Sequence, residues 1–277
     1  MSTKPPRITA LLLFAAAVCL SANASAETLR IGGTGTALGT MRLLGEAYAR
    51  THKAVSIEVL PSLGSGGGIK AVLAGAIDLA VSTRDLKDDE RAQGLSARIY
   101  GKTALVFATV RSTVASNITS AELVAMFGGT QTTWPDGHPV RPVLRPKAET
   151  DTQLAEEHIS GMREALENAR TRPAVPVQYT DQEAADALER IPGSLGTAAL
   201  PVILAERRGL KVLALDGHVA TPQSIADGTY PITKTCYFVM PAQPSAAVKE
   251  FLAFVYSPAG QAILEKNGHQ ALSGSAN

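Results

Sequence analysis

Gly64-Ser65-Gly66-Gly67-Gly68-Ile69-Lys70 stands between the alternating run Val55-Ser56-Ile57-Glu58-Val59 and an apolar segment of helical spacing through Val72, Leu73 and Ala76. The apolar period changes across it from strand-like to helix-like, so the stretch is a glycine loop at a helix N-terminus. Free backbone N–H groups and the positive end of the helix dipole meet at such a turn, which makes it ready to hold an anion. The glycines let the main chain approach an ion, and Ser65 adds a hydroxyl that both donates and accepts. A lone glycine run is more often a plain connecting turn, so its neighbours decide the reading.

Two neighbours repeat the pattern. Leu29-Arg30-Ile31-Gly32 is a short strand that Gly33-Thr34-Gly35-Thr36-Ala37 turns into a helix with apolar residues at Leu43, Leu44, Ala47 and Tyr48. Ile77 to Val81 is another strand, ending in Ser82-Thr83-Arg84, two hydroxyls and a guanidinium. Ligands of open α/β sheets bind beyond the carboxyl ends of strands, so these three donor-rich tips are expected to face one cleft. Arg84 has a second reading of equal weight, a surface residue paired with a nearby acid.

Ala104 to Val110 reads as a buried strand leading out of this first lobe. Thr119-Ser120-Ala121-Glu122 is a capping box for a helix through Phe127, and Gly128-Gly129 ends that helix. Trp134 is expected to pack under the turn Trp134-Pro135-Asp136-Gly137. After a strand from Val140 to Arg145, Pro146 to Thr152 leads into a helix expected to run to about Ala169, with Thr150 or Asp151 as N-cap. This helix start is either a fourth anion site, with Arg145 as a fork-shaped ligand and Thr150 and Thr152 as hydroxyl donors, or a well-capped surface helix. Local sequence favours the second. Thr180 with Glu183 repeats the capping box, and Pro192 to Thr197 is a glycine turn. Val212 to Leu215 and Thr235 to Met240 are strands, and Ala246 to Tyr256 and Gly260 to Lys266 are helices.

Composition bounds the class. A chain of 277 residues, 45% hydrophobic and 18% charged, suits one large globular unit or two lobes with real cores, and disorder is excluded. Lys4 and Arg7 precede the apolar run Ile8 to Leu20 and then Ala24-Ser25-Ala26, the order of a secretory signal, so residues 1–26 are read as a signal peptide. Ala16-Ala17-Val18 before Cys19 fits a lipoprotein site poorly. Removing Lys4 and Arg7 leaves 24 basic residues of the 26 against 25 acidic ones, a net charge of −1, with no signature of nucleic acid or an anionic membrane as partner. Cys236 then has no disulfide partner and is expected to be buried and inert.

Several chemistries lack their residues. The five histidines, His52, His138, His158, His218 and His269, show no metal-ligand spacing, so no metal site is proposed. Leu38 breaks the dinucleotide fingerprint, Lys70 is followed by Ala71 instead of the Ser or Thr of a phosphate loop, and Ser65 is not in a G-x-S-x-G elbow. Neutral donors and one or two arginines remain, an inventory that suits reversible binding without a cofactor and without catalysis.

Gly33 to Ala37, Gly64 to Lys70, Asp78 to Arg84, the Thr119 to Trp134 block, Gly193 to Thr197 and Tyr230-Pro231, in that order, span nearly all of the chain beyond the signal. Through them the chain closely resembles the periplasmic phosphate-binding proteins of bacterial ABC importers. The resemblance implies an α/β, two-lobed periplasmic binding protein fold of type 2 with two hinge crossovers: lobe I over 27–110, lobe II over 111–209, and a return to lobe I over 210–277. It implies a monomer in the periplasm that closes on a dehydrated oxyanion, with phosphate expected, and delivers it to an ABC permease in the inner membrane. Carried over by position, the ligand residues are Thr36 and the Ala37 amide, then Ser65 and the Gly66 amide, then Thr83 with Arg84, and finally Arg145, Thr150 and Thr152.

Two positions depart from the family pattern. The acidic residue that accepts the proton of hydrogen phosphate falls on Thr83, although the pair Thr83-Arg84 resembles a variant of the wider family. Asp151 replaces a glycine beside the proposed anion. Pointing inward it repels the ligand, pointing outward it caps the helix harmlessly, and as a third option it supplies the acceptor missing at Thr83. The rival functions are a sensory protein presenting its ligand to a membrane kinase and a secreted phosphate-ester hydrolase with Ser65 as nucleophile. The second lacks an evident general base or metal set.

Overall fold

The strand–loop–helix repeats organise the first part of the chain, and a long shared strand joins it to the second. The computed structural model describes residues 27–272, so the signal-peptide reading of residues 1–26 lies outside the described residues. The first repeats are β1 (Glu27–Gly33), α1 (Gly35–Thr51), β2 (Val55–Val59), α2 (Gly64–Leu73), β3 (Leu79–Ser82) and α3 (Asp88–Ala92). Next come β4 (Leu95–Val110), β5 (Asn117–Ile118), α4 (Ser120–Gly128), β6 (Arg141–Val143), α5 (Thr150–His158), α6 (Met162–Thr171), α7 (Asp181–Arg190), β7 (Ser194–Ala199) and α8 (Leu200–Ala205). The chain continues through β8 (Leu210–Val212), β9 (Ala214–Leu215), α9 (Pro222–Ala226), β10 (Thr233–Pro241), α10 (Ala246–Tyr256), α11 (Pro258–Lys266) and β11 (His269–Ala271).

β1 pairs in parallel with β2 on one side and β3 on the other, which sets the three donor-rich tips side by side. β10 lies antiparallel between β3 and β4, and the main sheet runs β2-β1-β3-β10-β4-β7-β6. β4 belongs to both halves: its first part pairs with β10 and β11, its last part with β7 and β8.

The cores change over along the same two strands. Tyr100 packs with Leu29, Ile31, Phe238 and Phe251 under α1 and α10, while Ala104 to Ala108 pack with α4, α6 and α7. The opposite face of the first sheet packs Ile69 and Val72 of α2 on Ile77, Ala80 and Val239. The return falls between Ile232, in the second core, and Cys236, in the first. We therefore place the lobe crossovers within β4 and β10. The second core holds Ala108 and Leu210, beside the expected limits at 110 and 210.

Two local expectations change. The helix expected from Thr150 to Ala169 is two helices, because Ile159 ends α5 in extended conformation and Gly161 starts α6 at φ +85°, where glycine is favoured. The N-cap of α5 is Glu149, so neither Thr150 nor Asp151 caps it. The boxes at Thr119 and Thr180 cap α4 and α7 as expected, each hydroxyl accepting from the amide of the glutamate three residues on. Trp134 is buried, its Nε1 donating to the Gly193 carbonyl at 3.0 Å, and Cys236 is buried as a free thiol. Among the described residues no helix is long and apolar enough to cross a membrane.

Candidate functional site

Close approach of backbones builds the first half of the site. A Cβ on Gly68 would lie 2.6 Å from the Gly33 Cα, so this glycine is required for α2 to sit against the end of β1. Gly66 differs: a Cβ there would meet nothing within 4 Å, so the first turn of α2 borders open space. Leu63 N–H donates to the Gly33 carbonyl at 3.0 Å and Thr34 N–H to the Val81 carbonyl at 2.9 Å, which ties the three strand tips together.

Ser65 and Thr83 meet here. The Ser65 hydroxyl accepts from the Thr83 amide at 3.1 Å and lies 3.4 Å from the Thr83 hydroxyl. Neither partner is a base that could activate a nucleophile. The Ala37 amide is engaged within its own turn, donating to the Thr34 carbonyl at 3.3 Å. Arg84 follows its alternative reading: its two terminal nitrogens bind the Glu90 carboxylate at 2.8 and 2.6 Å. That hydrogen-bonded fork holds the Glu90 carboxyl down at about 2. The Arg84 charge is thus matched locally by Glu90.

The second half is charged and dry. Arg145, just beyond β6, is 5% exposed. One terminal nitrogen donates to the Gln178 carbonyl at 3.1 Å; the other lies 3.4 Å from Glu149 Oε2 and 3.9 Å from Asp181 Oδ2, and Nε is buried without a partner. Asp181 opens α7 and faces the start of α1, where its Oδ1 accepts from the Thr36 hydroxyl at 3.2 Å. The helix starts touch: Gln182 Nε2 donates to the Gly35 carbonyl at 3.1 Å, and a Cβ on Gly35 would lie 2.7 Å from Asp181 Oδ2. Thr36 also accepts, at 3.3 Å, from the ammonium of Lys234 on β10, and that ammonium is ion-paired with Asp151.

A single series of contacts thus crosses between the lobes, from Asp151 through Lys234, Thr36 and Asp181 to Arg145 and Glu149. Asp151 points inward, not outward as a cap, and carries its own counter-ion. Burial pushes the Glu149 carboxyl above its ordinary range; Arg145 opposes the shift, while Asp181 and Asp151 add to it. Thr152 donates to the Arg145 carbonyl at 3.4 Å and backs onto a small cavity lined by Phe107, Phe127 and Met162, so it supports the Arg145 backbone. Thr150 is half-buried at the first position of α5. Among the described residues no cluster of His, Cys, Asp and Glu could hold a metal ion.

Lys234, Asp181 and Glu149 of this series escaped the sequence reading. Lys234 shares the buried face of β10 with Cys236 and Phe238 at every second position, and a lysine on such a face signals a paired charge. Asp181 was hidden inside the capping box it follows, where a first-turn acid is ordinary.

A family model described as a PBP superfamily domain matches residues 21–259. The phosphate-binding protein PstS of Borreliella burgdorferi is 24% identical over 213 residues, covering 74% of this chain and 76% of that one. Protein SphX of Synechococcus elongatus is 26% identical, covering 94% of this chain and 85% of its own. Among solved structures, a substrate-binding protein from Clostridium perfringens with bound phosphate superposes with a TM-score of 0.74 at 20% identity, over 89% of this chain and 100% of that one.

Proposed function

The chain belongs to the PBP superfamily, and from that premise we propose that it is a substrate-binding protein whose two lobes close on a small oxyanion, phosphate before others. The observation that carries this reading is Asp181. One carboxylate lies against the Thr36 hydroxyl of the first lobe and the Arg145 guanidinium of the second. The place where the lobes meet is thus built to hold negative charge, and an entering oxyanion replaces Asp181 on the same donors.

Ser65 and Thr83, with the Gly66 amide, bind from the neighbouring strand tips, and Thr150 lies at the rim on α5. Closure about β4 and β10 exchanges the hydration of the anion for fixed donors, so the ligand has to match them in size and protonation state. The buried carboxylate of Asp181, displaced from its donors, supplies an acceptor for a phosphate proton, the role that Thr83 cannot fill. A fully ionised sulfate brings no such proton and meets repulsion. The protein is read as a carrier and not an enzyme, exported by residues 1–26 and delivering its ligand to an ABC permease. The names of its relatives support the ligand assignment.

Titration calorimetry with phosphate, arsenate, sulfate and molybdate tests the reading. Phosphate and arsenate are expected to bind at micromolar concentration and sulfate to bind far more weakly. No heat from any of the four overturns the oxyanion assignment.

A further inference from the structure

Lys234 stands where β10 passes from one core to the other, between Ile232 and Cys236. Its side chain is 1% exposed, and its ammonium contacts Thr36 Oγ1 and the Asp151 carboxylate. As a permanent strut this pair is poorly placed. The ammonium lies at the first turn of α1, the positive end of that helix, and a buried ion pair loses hydration that only good geometry offsets. A second cation, Arg145, reaches the same contact series with one nitrogen buried and unpartnered. Two cations, a hydroxyl and a helix N-terminus therefore converge, and the negative charge they hold is the protein's own.

We propose that Lys234 is an anion-binding residue of this cleft and that Asp151 is a built-in carboxylate that occupies it until an oxyanion arrives. The proposal rests on the oxyanion reading above and adds to it the cation that the sequence reading lacked. Asp151 belongs to α5 of the second lobe, whereas Thr36 begins α1 of the first and Lys234 lies on the crossover strand. Parting the lobes separates the ion pair and uncovers the ammonium beside the Thr36 hydroxyl. An entering oxyanion takes Lys234, Thr36 and Arg145 together, and the Asp151 carboxylate turns away. The measured affinity is then net of an internal competitor. Asp181 and Glu149 face the same place and add to that competition.

A structural tie between the lobes makes the opposite prediction at Asp151. If the pair only holds the cleft shut, Asp151→Asn weakens closure and lowers affinity; if Asp151 competes, the same change raises it. Calorimetry with inorganic phosphate on the wild type, Asp151→Asn, Lys234→Gln and Lys234→Arg separates the two, with thermal melting as a check on folding. The expected result is binding about tenfold tighter for Asp151→Asn and at least about tenfold weaker for Lys234→Gln, with partial recovery in Lys234→Arg. Should Lys234→Gln fail to fold, the sign at Asp151→Asn decides alone. Unchanged or weaker binding in Asp151→Asn, or wild-type affinity in Lys234→Gln, overturns the inference and leaves the oxyanion reading standing. No phosphate binding by either the wild type or Asp151→Asn overturns both.

Discussion

The two groups of candidate site residues are made of different chemistry. The side built from the tips of β1, β2 and β3 is neutral: glycines permit backbone contact, and Ser65 and Thr83 satisfy one another. The side built from the starts of α5 and α7 is charged, with Asp151, Asp181, Glu149 and Arg145 gathered around a lysine from the crossover strand. The neutral donors bond to their own neighbours, whereas the buried cations need counter-ions, and Asp151, Asp181 and Glu149 supply them.

The largest effect should fall on the packing of the neutral side. Gly68→Ala forces a Cβ against the Gly33 backbone and is expected to destabilise the fold by about 3 kcal/mol. Gly66→Ala, with open space around it, should stabilise α2 by about 0.5 to 1 kcal/mol while obstructing the anion. Chemical denaturation and calorimetry on the two variants would read opposite signs in stability. Equal destabilisation by both would erase the division between packing glycine and site glycine.

On the charged side, Arg145→Gln removes the guanidinium from Asp181 and from the ligand. A loss of about 2 to 3 kcal/mol in phosphate binding is expected, as for hydrogen bonds to charged groups, measured by calorimetry across ionic strength. Ser65→Ala removes a neutral hydroxyl and should lose about 1 kcal/mol, with little dependence on salt. A salt dependence as steep as that of Arg145→Gln would break the comparison.

The smallest effect belongs to Arg84, a charge at the edge of the neutral side. Its fork lowers the Glu90 carboxyl, so the stability it adds is complete above the ordinary glutamate range and fades as pH falls toward 2. Glu90→Gln should cost about 1 kcal/mol at pH 7, given partial exposure to solvent, and the gap to the wild type should narrow at pH 3 in thermal melts. Phosphate affinity at pH 7 should stay at the wild-type value; a marked change would return Arg84 to the ligand set.

Where side-chain periodicity and local capping set an element, the sequence was sufficient. β2 and α10 match their expected limits, and the boxes at Thr119 and Thr180 start α4 and α7. The break at Gly161 was missed because the apolar residues on either side of it still fit a helical period. The full length of β4 was missed because its first half is only partly buried and its second almost wholly so. No single alternation describes both.

The sequence by itself determined the two-lobed class, the three donor-rich tips and the family, because each depends on residues near in the chain or on motif order. Only the tertiary structure decided which charges meet. Asp151 meets Lys234, and Asp181 meets Thr36, across separations in sequence that leave no local pattern. The worth of a charge depends on its partners and its distance from water, and both are fixed when the lobes pack. The Gly64 to Lys70 loop was thus legible as a glycine-rich helix start from its residues alone, while Lys234 met Thr36 and Asp151 from a strand late in the chain.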